Sequence, residues 1–221
     1  MINTEKEFKQ ELDRIWRNAK EISVGDYCLE IKKRGYAIET MIEEDALMFL
    51  GMNPSFRKGT PYPETGKEYD FYPLPQNEKD KYFGKAYTIA KDRQAEFCHH
   101  DLLYVRETSQ KYVSDSYMEN KEFYDNQLAL TKNIIERVHP KMIVIINAKA
   151  CEIFKSLFDF EHNHSWDVKL GVDIMKIAGR EIPVIFSGML TGSNPLDNGS
   201  YISLRWHVGH ICDNWPGKIV F

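Results

Sequence analysis

A short polar segment follows an apolar run and places one amide side chain where a strand should end. Five residues follow the apolar run 46–50, namely Gly51, Met52, Asn53, Pro54 and Ser55. Glycine lets a backbone turn tightly and approach a ligand, while proline stiffens the turn and keeps the preceding residue extended. The segment therefore predicts a rigid edge that presents Asn53 to a ligand, although an Asn-Pro pair is also typical of an ordinary turn.

A second group of polar residues lies within the run 97–104. His99 and His100 are neighbours and must point to opposite faces of a strand, and we expect His100 to approach a site beside Asp101. An ionised aspartate only accepts hydrogen bonds, whereas a protonated one also donates. Asp101 is thus a candidate for binding a polar ligand, with a structural or helix-capping role as the alternative.

Four apolar runs, each followed by a loop or a helix, predict buried parallel strands at 46–50, 97–104, 142–146 and 182–186. The residues 174–178, followed by Gly179, predict a hairpin into the fourth strand. Helical spacing of apolar residues predicts helices near 4–19, 124–138, 150–158 and 201–211, the first with Thr4 as its N-cap. This alternation indicates a three-layer α/β/α sandwich with a central, mostly parallel four-stranded sheet.

Length and composition suit a single domain over residues 1–221, with residues 1–45 expected as an N-terminal helical segment packed on it. The formal net charge of −4 argues against a strongly basic, non-specific nucleic-acid binder but leaves room for a local basic patch. Without an apolar signal region or an apolar run of membrane-spanning length, we expect a cytoplasmic monomer that does not bind membranes.

The cysteines are widely separated and form no CxxC pair, which favours reduced thiols over a disulfide or zinc framework. His162 and His164, and likewise His207 and His210, are close enough to suggest metal ligands, but surface or core roles are favoured. We therefore expect no metal and no other cofactor. The Pro- and aromatic-rich residues 56–80 are too long for a simple connection, and loops of this kind are often functional.

The order of these strand ends resembles the uracil-DNA glycosylase superfamily, most of all its mismatch-specific uracil/thymine branch. Residues 51–54 are similar to a Gly-x-Asn-Pro turn after the first strand of that branch. Residues 100–108 stand where its second strand has a Thr-Asn-x-x-x-Arg-x-Thr-like segment, and residues 146–149 stand where its third has a Phe-Asn-Gly-Lys-like one. The resemblance extends over about residues 47–206 and implies the fold of that superfamily.

The resemblance implies a DNA repair enzyme of base excision, which flips a damaged or mismatched base out of DNA and hydrolyses its N-glycosidic bond. Asn53 would orient the attacking water, and Asp101 would read the edge of the base. Backbone N–H groups near the first turn would stabilise the leaving base, and Phe56 would stack on it. The remaining residues implied to bind base or nucleic acid are Gly51, Met52, Pro54, Ser55, His100, Asn147, Thr191 and Gly192.

Two departures from the superfamily leave other functions open. Asp101 stands where many members have asparagine, and Met189 and Leu190 replace the His-Pro or Asn-Pro of the loop after the fourth strand, of which Thr191 and Gly192 keep the hydroxyl and the glycine. The first alternative is a non-catalytic module that binds damaged or single-stranded DNA or a nucleobase. The second alternative is a hydrolase of free nucleosides or nucleotides.

Overall fold

A computed structural model describes residues 1–19, 31–56, 69–192, 194–216 and 219–221. The helices that lie wholly within these ranges are α1 (Thr4–Asn18), α2 (Gly84–Asp92), α3 (Gln110–Glu119), α4 (Lys121–Val138), α5 (Ala148–Leu157), α6 (Phe160–Asn163) and α7 (Asn198–Asn214). The strands are β1 (Ile2–Asn3), β2 (Tyr36–Glu39), β3 (Met41–Ile42), β4 (Leu47–Gly51), β5 (Tyr69–Tyr72), β6 (Phe97–Asp101), β7 (Met142–Ile145), β8 (His164–Asp167), β9 (Val172–Ile177) and β10 (Arg180–Phe186). Cys28 and residues 57–68 of the loop 56–80 lie outside the described residues.

The central sheet has six strands in the order β6-β4-β7-β10-β9-β8. The strands β6, β4, β7 and β10 are parallel, and they are the four runs that the sequence predicts as strands. The predicted total of four strands is wrong because the hairpin that leads into β10 adds β9, and β9 in turn pairs with β8 in antiparallel fashion. The α/β class and the mostly parallel sheet are confirmed.

Apolar side chains cover both faces of the sheet because alternate residues of each strand point in opposite directions. Met48 and Leu50 of β4 belong to one core with side chains of α1, α4 and α5. Leu47 and Phe49 belong to a second core with side chains of α2 and α7. Burial on both faces explains why β4 and β7 contain no polar side chains.

The first helix buries the predicted face, including Phe8, Leu12 and Trp16, but its N-cap is one residue earlier than predicted. Asn3 accepts a hydrogen bond from the backbone N–H of Lys6 at 3.0 Å. Thr4 instead donates its hydroxyl to the carbonyl of Glu39, which ties the helix to β2. Residues 1–45 were expected to form a helical segment, but they also contain strands. The strand β1 pairs with β3, and β2 pairs with β5, in two small sheets.

Within the described ranges, no helix is both long enough and apolar enough to cross a membrane.

The turn between β9 and β10 consists of Ala178 and Gly179, both with positive φ, at 49° and 79°. Two-residue hairpin turns of this kind match the right-handed twist of the strands but strain any residue that has a β-carbon. We expect Ala178→Gly to raise the free energy of unfolding by about 0.5–1 kcal/mol, as measured by urea denaturation.

The same substitution at Ala129, an exposed position inside α4, is the matched control. There the glycine loses conformational entropy with no strain to relieve, so Ala129→Gly should lower stability by about 0.5–1 kcal/mol. Equal destabilisation by both variants would contradict the strain at Ala178.

Candidate functional site

The ends of β4 and β6 bring the two predicted catalytic segments side by side. Gly51 is directly opposite Asp101 in the parallel register. The pairing continues past the strands, since Leu103 N–H donates to the carbonyl of Met52 at 2.9 Å and Glu107 N–H donates to that of Pro54 at 3.0 Å. The turn after β4 is thus held against the chain that leaves β6.

Gly51 is required by the close approach of two polar side chains. A β-carbon at this position would overlap Oδ1 of Asp101 and would stand 3.2 Å from Nε2 of His99. Only glycine leaves room for both groups at the end of β4. The predicted role of this glycine in a tight approach therefore has a physical cause within the protein itself.

Asp101 is buried, and its Oδ1 has no hydrogen-bond partner among the described residues. Burial raises the pKa of Asp101 well above its usual range, and the negative charge of Glu39 raises it further. Removing a carboxylate from water disfavours its charged form, so the neutral acid is favoured here. In that form Asp101 can donate a hydrogen bond as well as accept one.

His99, rather than His100, shares a face of β6 with Asp101, which corrects the expectation that His100 approaches the site. Both ring nitrogens of His99 are buried and have no partner in the described part of the chain. Its ring meets Phe83 edge-on at 4.9 Å between centroids. Burial lowers the pKa of His99 to about 3, and the nearby His100 contributes to this shift, so the imidazole is neutral at physiological pH.

His100 lies on the opposite face of β6 in a buried polar chain. Its Nδ1 contacts Oε1 of Glu39, and its Nε2 lies 3.3 Å from the hydroxyl of Tyr104. That hydroxyl is 2.7 Å from Oγ1 of Thr131, which donates to the carbonyl of Leu102 at 2.9 Å. Both ring nitrogens of His100 are therefore satisfied inside the core, which indicates a structural role.

A cavity of about 480 Å³ opens beside Asp101. Its lining includes Pro54 and Ser55 after β4, Ala37 and Tyr72 of the small sheet, Asp101 and Arg106, and the residues Asn77, Lys79, Asp80, Lys81, Tyr82 and Phe83 before α2. Of the predicted site residues, Pro54, Ser55 and Asp101 belong to this lining. Its aromatic and basic side chains were not predicted from the sequence, because β5 and the segment before α2 approach Asp101 only in the folded chain.

The loop before α2 forms one wall of this cavity and is held by hydrogen bonds. Oδ1 of Asp80 accepts hydrogen bonds from the backbone N–H groups of Tyr82 and Phe83 at 2.8 and 2.7 Å. Thr191 donates its hydroxyl to the carbonyl of Tyr82 at 3.2 Å, and Gly192 has a positive φ of 104°. Thr191 is therefore placed to support the wall through a backbone carbonyl.

Asn53 uses its amide nitrogen to fasten two chain segments together. Its Nδ2 donates to the carbonyls of Pro54, Val105 and Glu107 at 3.0, 3.2 and 2.7 Å. These contacts fix the turn after β4 to the segment after β6. Asn53 does not belong to the lining of the 480 Å³ cavity. The facing ends of β4 and β6 therefore do not bring the side chains of Asn53 and Asp101 into one pocket.

Phe56 is held between two cations, since the guanidinium groups of Arg34 and Arg106 lie 4.7 and 5.3 Å from its ring centroid. Thr108 donates its hydroxyl to the carbonyl of Phe56 at 2.6 Å. Cation–π contacts of this kind stabilise the position of a loop. In this arrangement the ring of Phe56 already has partners within the chain.

Asn147 and Met52 lie apart from the cavity. The Oδ1 of Asn147 accepts hydrogen bonds from Lys149 and Ala150 N–H groups at 2.8 and 3.2 Å, so this residue is the N-cap of α5. Met52 is buried and contributes to a separate groove of about 700 Å³ between α3, α4 and α5. The order of the motifs in the sequence thus predicts that these residues lie near one edge of the sheet. It does not predict which groups each side chain contacts.

The histidine pairs considered for metal binding have other partners. Nδ1 of His162 lies 2.7 Å from Oδ1 of Asp159, and the ring of His164 stacks on that of Phe160. Nε2 of His207 lies 2.9 Å from the carbonyl oxygen of Leu170. Within the ranges that the structure covers, no three His, Cys, Asp or Glu side chains are grouped so as to hold a metal ion.

Sequence comparisons add no assignment to this geometry. No model of a known protein family matches the chain, and no curated protein matches it.

Loss of the Asn53 amide should destabilise the fold. Asn53→Ala leaves the carbonyls of Val105 and Glu107 without their donor, and we expect the free energy of unfolding to fall by about 1–3 kcal/mol. Urea denaturation measures this change. Asn126→Ala, at an exposed position of α4, should change stability by no more than about 0.5 kcal/mol, and an equally small effect at Asn53 would contradict the fastening role.

Asp101→Asn should change the pH dependence of stability. Because the pKa of Asp101 is raised in the folded state, its protonation stabilises the protein fully below the unfolded value of 3.8 and is lost as pH rises through the folded pKa. Asparagine does not titrate, so the variant should gain stability relative to the wild type as pH increases from 4 to 8. Urea denaturation across this range tests the sign, and a difference that is independent of pH would contradict the raised pKa.

Proposed function

We propose that this protein binds a nucleobase in the cavity beside Asp101 and hydrolyses the N-glycosidic bond that joins the base to its sugar, as a glycosylase acting on DNA. The observation that carries the proposal is a buried carboxyl with an unpartnered oxygen at a cavity with aromatic walls and a basic rim. Pockets that bind small planar ligands combine apolar walls with a few polar groups that set orientation.

The walls favour a flat aromatic ligand. Tyr72, Tyr82 and Phe83 line the cavity, and aromatic side chains stack on nucleobases with little dependence on their sequence. Asp101 is the polar group that would then select the edge of the base, because hydrogen bonding to an otherwise unpartnered buried group carries high specificity. A cavity of about 480 Å³ holds a base together with part of its sugar.

The rim favours a ligand that carries phosphate. Lys79 and Lys81 are exposed, and Arg106 lines the same opening. Phosphate contacts from lysine and arginine supply most of the sequence-independent affinity for nucleic acid. This local positive charge on a protein with a net charge of −4 supports damaged or single-stranded DNA as the partner.

Hydrolysis would proceed by attack of water on the anomeric carbon of the sugar while the bond to the base nitrogen breaks. The electron pair of that bond goes to the leaving base, and the proton that the water loses as its oxygen bonds to carbon passes through solvent to the base nitrogen. Asn53 does not line this cavity, and its role here would be to hold the turn that carries Pro54 and Ser55 in place through the carbonyls that its Nδ2 binds. The lysines at the rim would stabilise negative charge on the leaving base.

The same proposal extends to the fold. The parallel strands β6, β4, β7 and β10 would correspond to the four-stranded sheet of uracil-DNA glycosylases, with the hairpin partners β9 and β8 added at one edge. The facing ends of β4 and β6 support this correspondence, since they hold the two segments whose motifs resemble that superfamily.

A non-catalytic DNA- or nucleobase-binding module is the second candidate, and the loop after β10 favours it. Leu190 is buried in the core, and the hydroxyl of Thr191 donates a hydrogen bond to the carbonyl of Tyr82. The imidazole or amide that would stabilise a leaving base at this loop is therefore replaced by Met189 and Leu190. A site of this kind could hold a base without expelling it.

Base release from oligonucleotides tests the proposal. Single- and double-stranded substrates would carry uracil, mismatched thymine or hypoxanthine, and free nucleosides would be assayed beside them. We expect base release from at least one oligonucleotide, and we expect Ser55→Trp to abolish it because the indole fills the mouth of the cavity. Ser203→Trp places the same side chain on the exposed face of α7 and should leave activity unchanged.

Three results would change the proposed function. DNA binding without release would favour the binding module, and release from free nucleosides alone would favour a nucleoside hydrolase. Equal activity in wild type and Ser55→Trp would place the reaction outside this cavity.

A further inference from the structure

An apolar groove of about 700 Å³ lies between α3, α4 and α5, apart from the cavity beside Asp101. The groove and the cavity share no lining residue. The floor of the groove includes Met52, Leu103 and Val113, which are buried. A molecule bound here would therefore not compete with a nucleobase for the same side chains.

The walls of the groove carry apolar side chains that stay accessible. Leu128 of α4 and both Ile153 and Leu157 of α5 pack against the core but are only half-buried. Met118 of α3 also lines the groove and is 81% exposed. Contiguous apolar surface on a soluble protein marks an interaction site, and methionine adapts to the shape of what it contacts. The groove is thus suited to binding a partner.

The dimensions of the groove fit a helix. Its lining begins at Lys121 and ends at Lys132 on α4, begins at Lys149 and ends at Leu157 on α5, and recurs every three or four residues at most. At a rise of 1.5 Å per residue, the α4 part extends over about 16 Å, or roughly three turns. The ammonium of Lys132 lies 5.7 Å from the ring centroid of Phe158, directly after α5, so the two helices run side by side in the same direction.

Positive charge predominates along the groove. Lys149 pairs with Glu152 at 2.5 Å, and Lys121 pairs with Asp125. Lys132 has no carboxylate partner within the described part of the chain. The three lysines and two carboxylates of the lining give it a net charge of +1, on a protein whose net charge is −4. Because complementary charge selects partners at interfaces, the groove favours a partner with acidic groups.

The positions of the lysines distinguish a helix from a small ligand. Lys121 and Lys149 lie in the first turns of α4 and α5, whereas Lys132 is about three turns further along α4. A small molecule with a single acidic group reaches only one of these ends, but a helix of three or more turns reaches both. The exposed ion pairs of Lys121 and Lys149 contribute little stability, so their ammonium groups stay available to the carboxylates of a partner.

We propose that the groove binds an amphipathic helix of a partner protein, whose apolar face covers the floor and whose acidic residues face Lys121, Lys132 and Lys149. Recognition of this kind uses apolar anchors at positions i, i+3, i+4 and i+7 of the bound helix. The bound helix runs antiparallel to α4 and α5, because the negative end of its dipole then meets the positive ends of theirs.

Binding of a synthetic helix tests the proposal. The probe is a fluorescently labelled peptide of about fifteen residues, long enough to form a helix, with leucine at the i, i+3, i+4 and i+7 positions and glutamate on its flanks. A second peptide has lysine in place of each glutamate, and a third has the composition of the first in an order without an apolar stripe. We expect saturable binding of the first peptide alone, measured by fluorescence anisotropy. Added salt should weaken this binding because the charges are exposed.

Methionine signals locate the bound peptide. In protein labelled with ¹³C at the methionine methyl groups, the first peptide should shift the signals of Met52 and Met118, which line the groove. The signals of Met41 and Met142, which lie outside its lining, should stay unchanged.

Two substitutions with matched controls test the contacts. Met118→Glu places a like charge against the acidic helix at an exposed position and should weaken binding by about tenfold, while Ile202→Glu on the exposed face of α7 should keep the wild-type affinity. Lys132→Glu should weaken binding by a similar factor. Lys6→Glu makes the same change of charge at an exposed position of α1 and is its control.

Several results would overturn the helix-binding groove. They are the absence of saturable binding, equal binding of all three peptides, and wild-type affinity in both Met118→Glu and Lys132→Glu. Dodecanoate that shifts the signals of Met52 and Met118 where no peptide binds would assign the groove to a small amphiphile instead. None of these results bears on base release, because the groove and the cavity beside Asp101 have separate linings.

Discussion

The parallel pairing of β4 with β6 is the constraint on which the rest of the candidate site depends. It places Gly51 opposite Asp101, and the missing β-carbon admits the carboxyl and the imidazole of His99 to the space at the strand ends. A substitution at Gly51 would therefore change the position of a polar group rather than only the shape of a turn. The cavity wall, the turn after β4 and the segment after β6 are all arranged around this approach.

The two faces of β6 treat buried polar groups in opposite ways. On one face His100 has partners at both ring nitrogens, through Glu39 and Tyr104. On the other face His99 and Asp101 are left with unpaired atoms beside a cavity. A satisfied polar chain makes a core rigid, whereas an unsatisfied one costs stability unless a ligand or water completes it. The asymmetry is the physical reason for placing His99 and Asp101, rather than His100, at the candidate site.

The turn after β4 combines support and presentation. Asn53 fastens it to the carbonyls of Val105 and Glu107, while Pro54 and Ser55 face the cavity. A rigid support of this kind lowers the entropy lost when a ligand binds. It also means that an asparagine at such a turn can be essential to the fold and to the site at once, so that the two roles can be separated only by measuring stability beside activity.

The sequence by itself determined the four parallel strands, the hairpin into β10 and the buried face of α1, because continuous apolar runs and helical spacing depend on local burial. It also identified Asp101 and the segment 51–55 as features of one sheet edge. Only the tertiary structure decided that His99 and not His100 accompanies Asp101, since alternation along a strand does not say which face meets the cavity. It likewise decided that Asn147 caps a helix, that Asn53 binds carbonyls, and that Tyr72, Lys79 and Tyr82 line the cavity, because these contacts join residues that are distant along the chain.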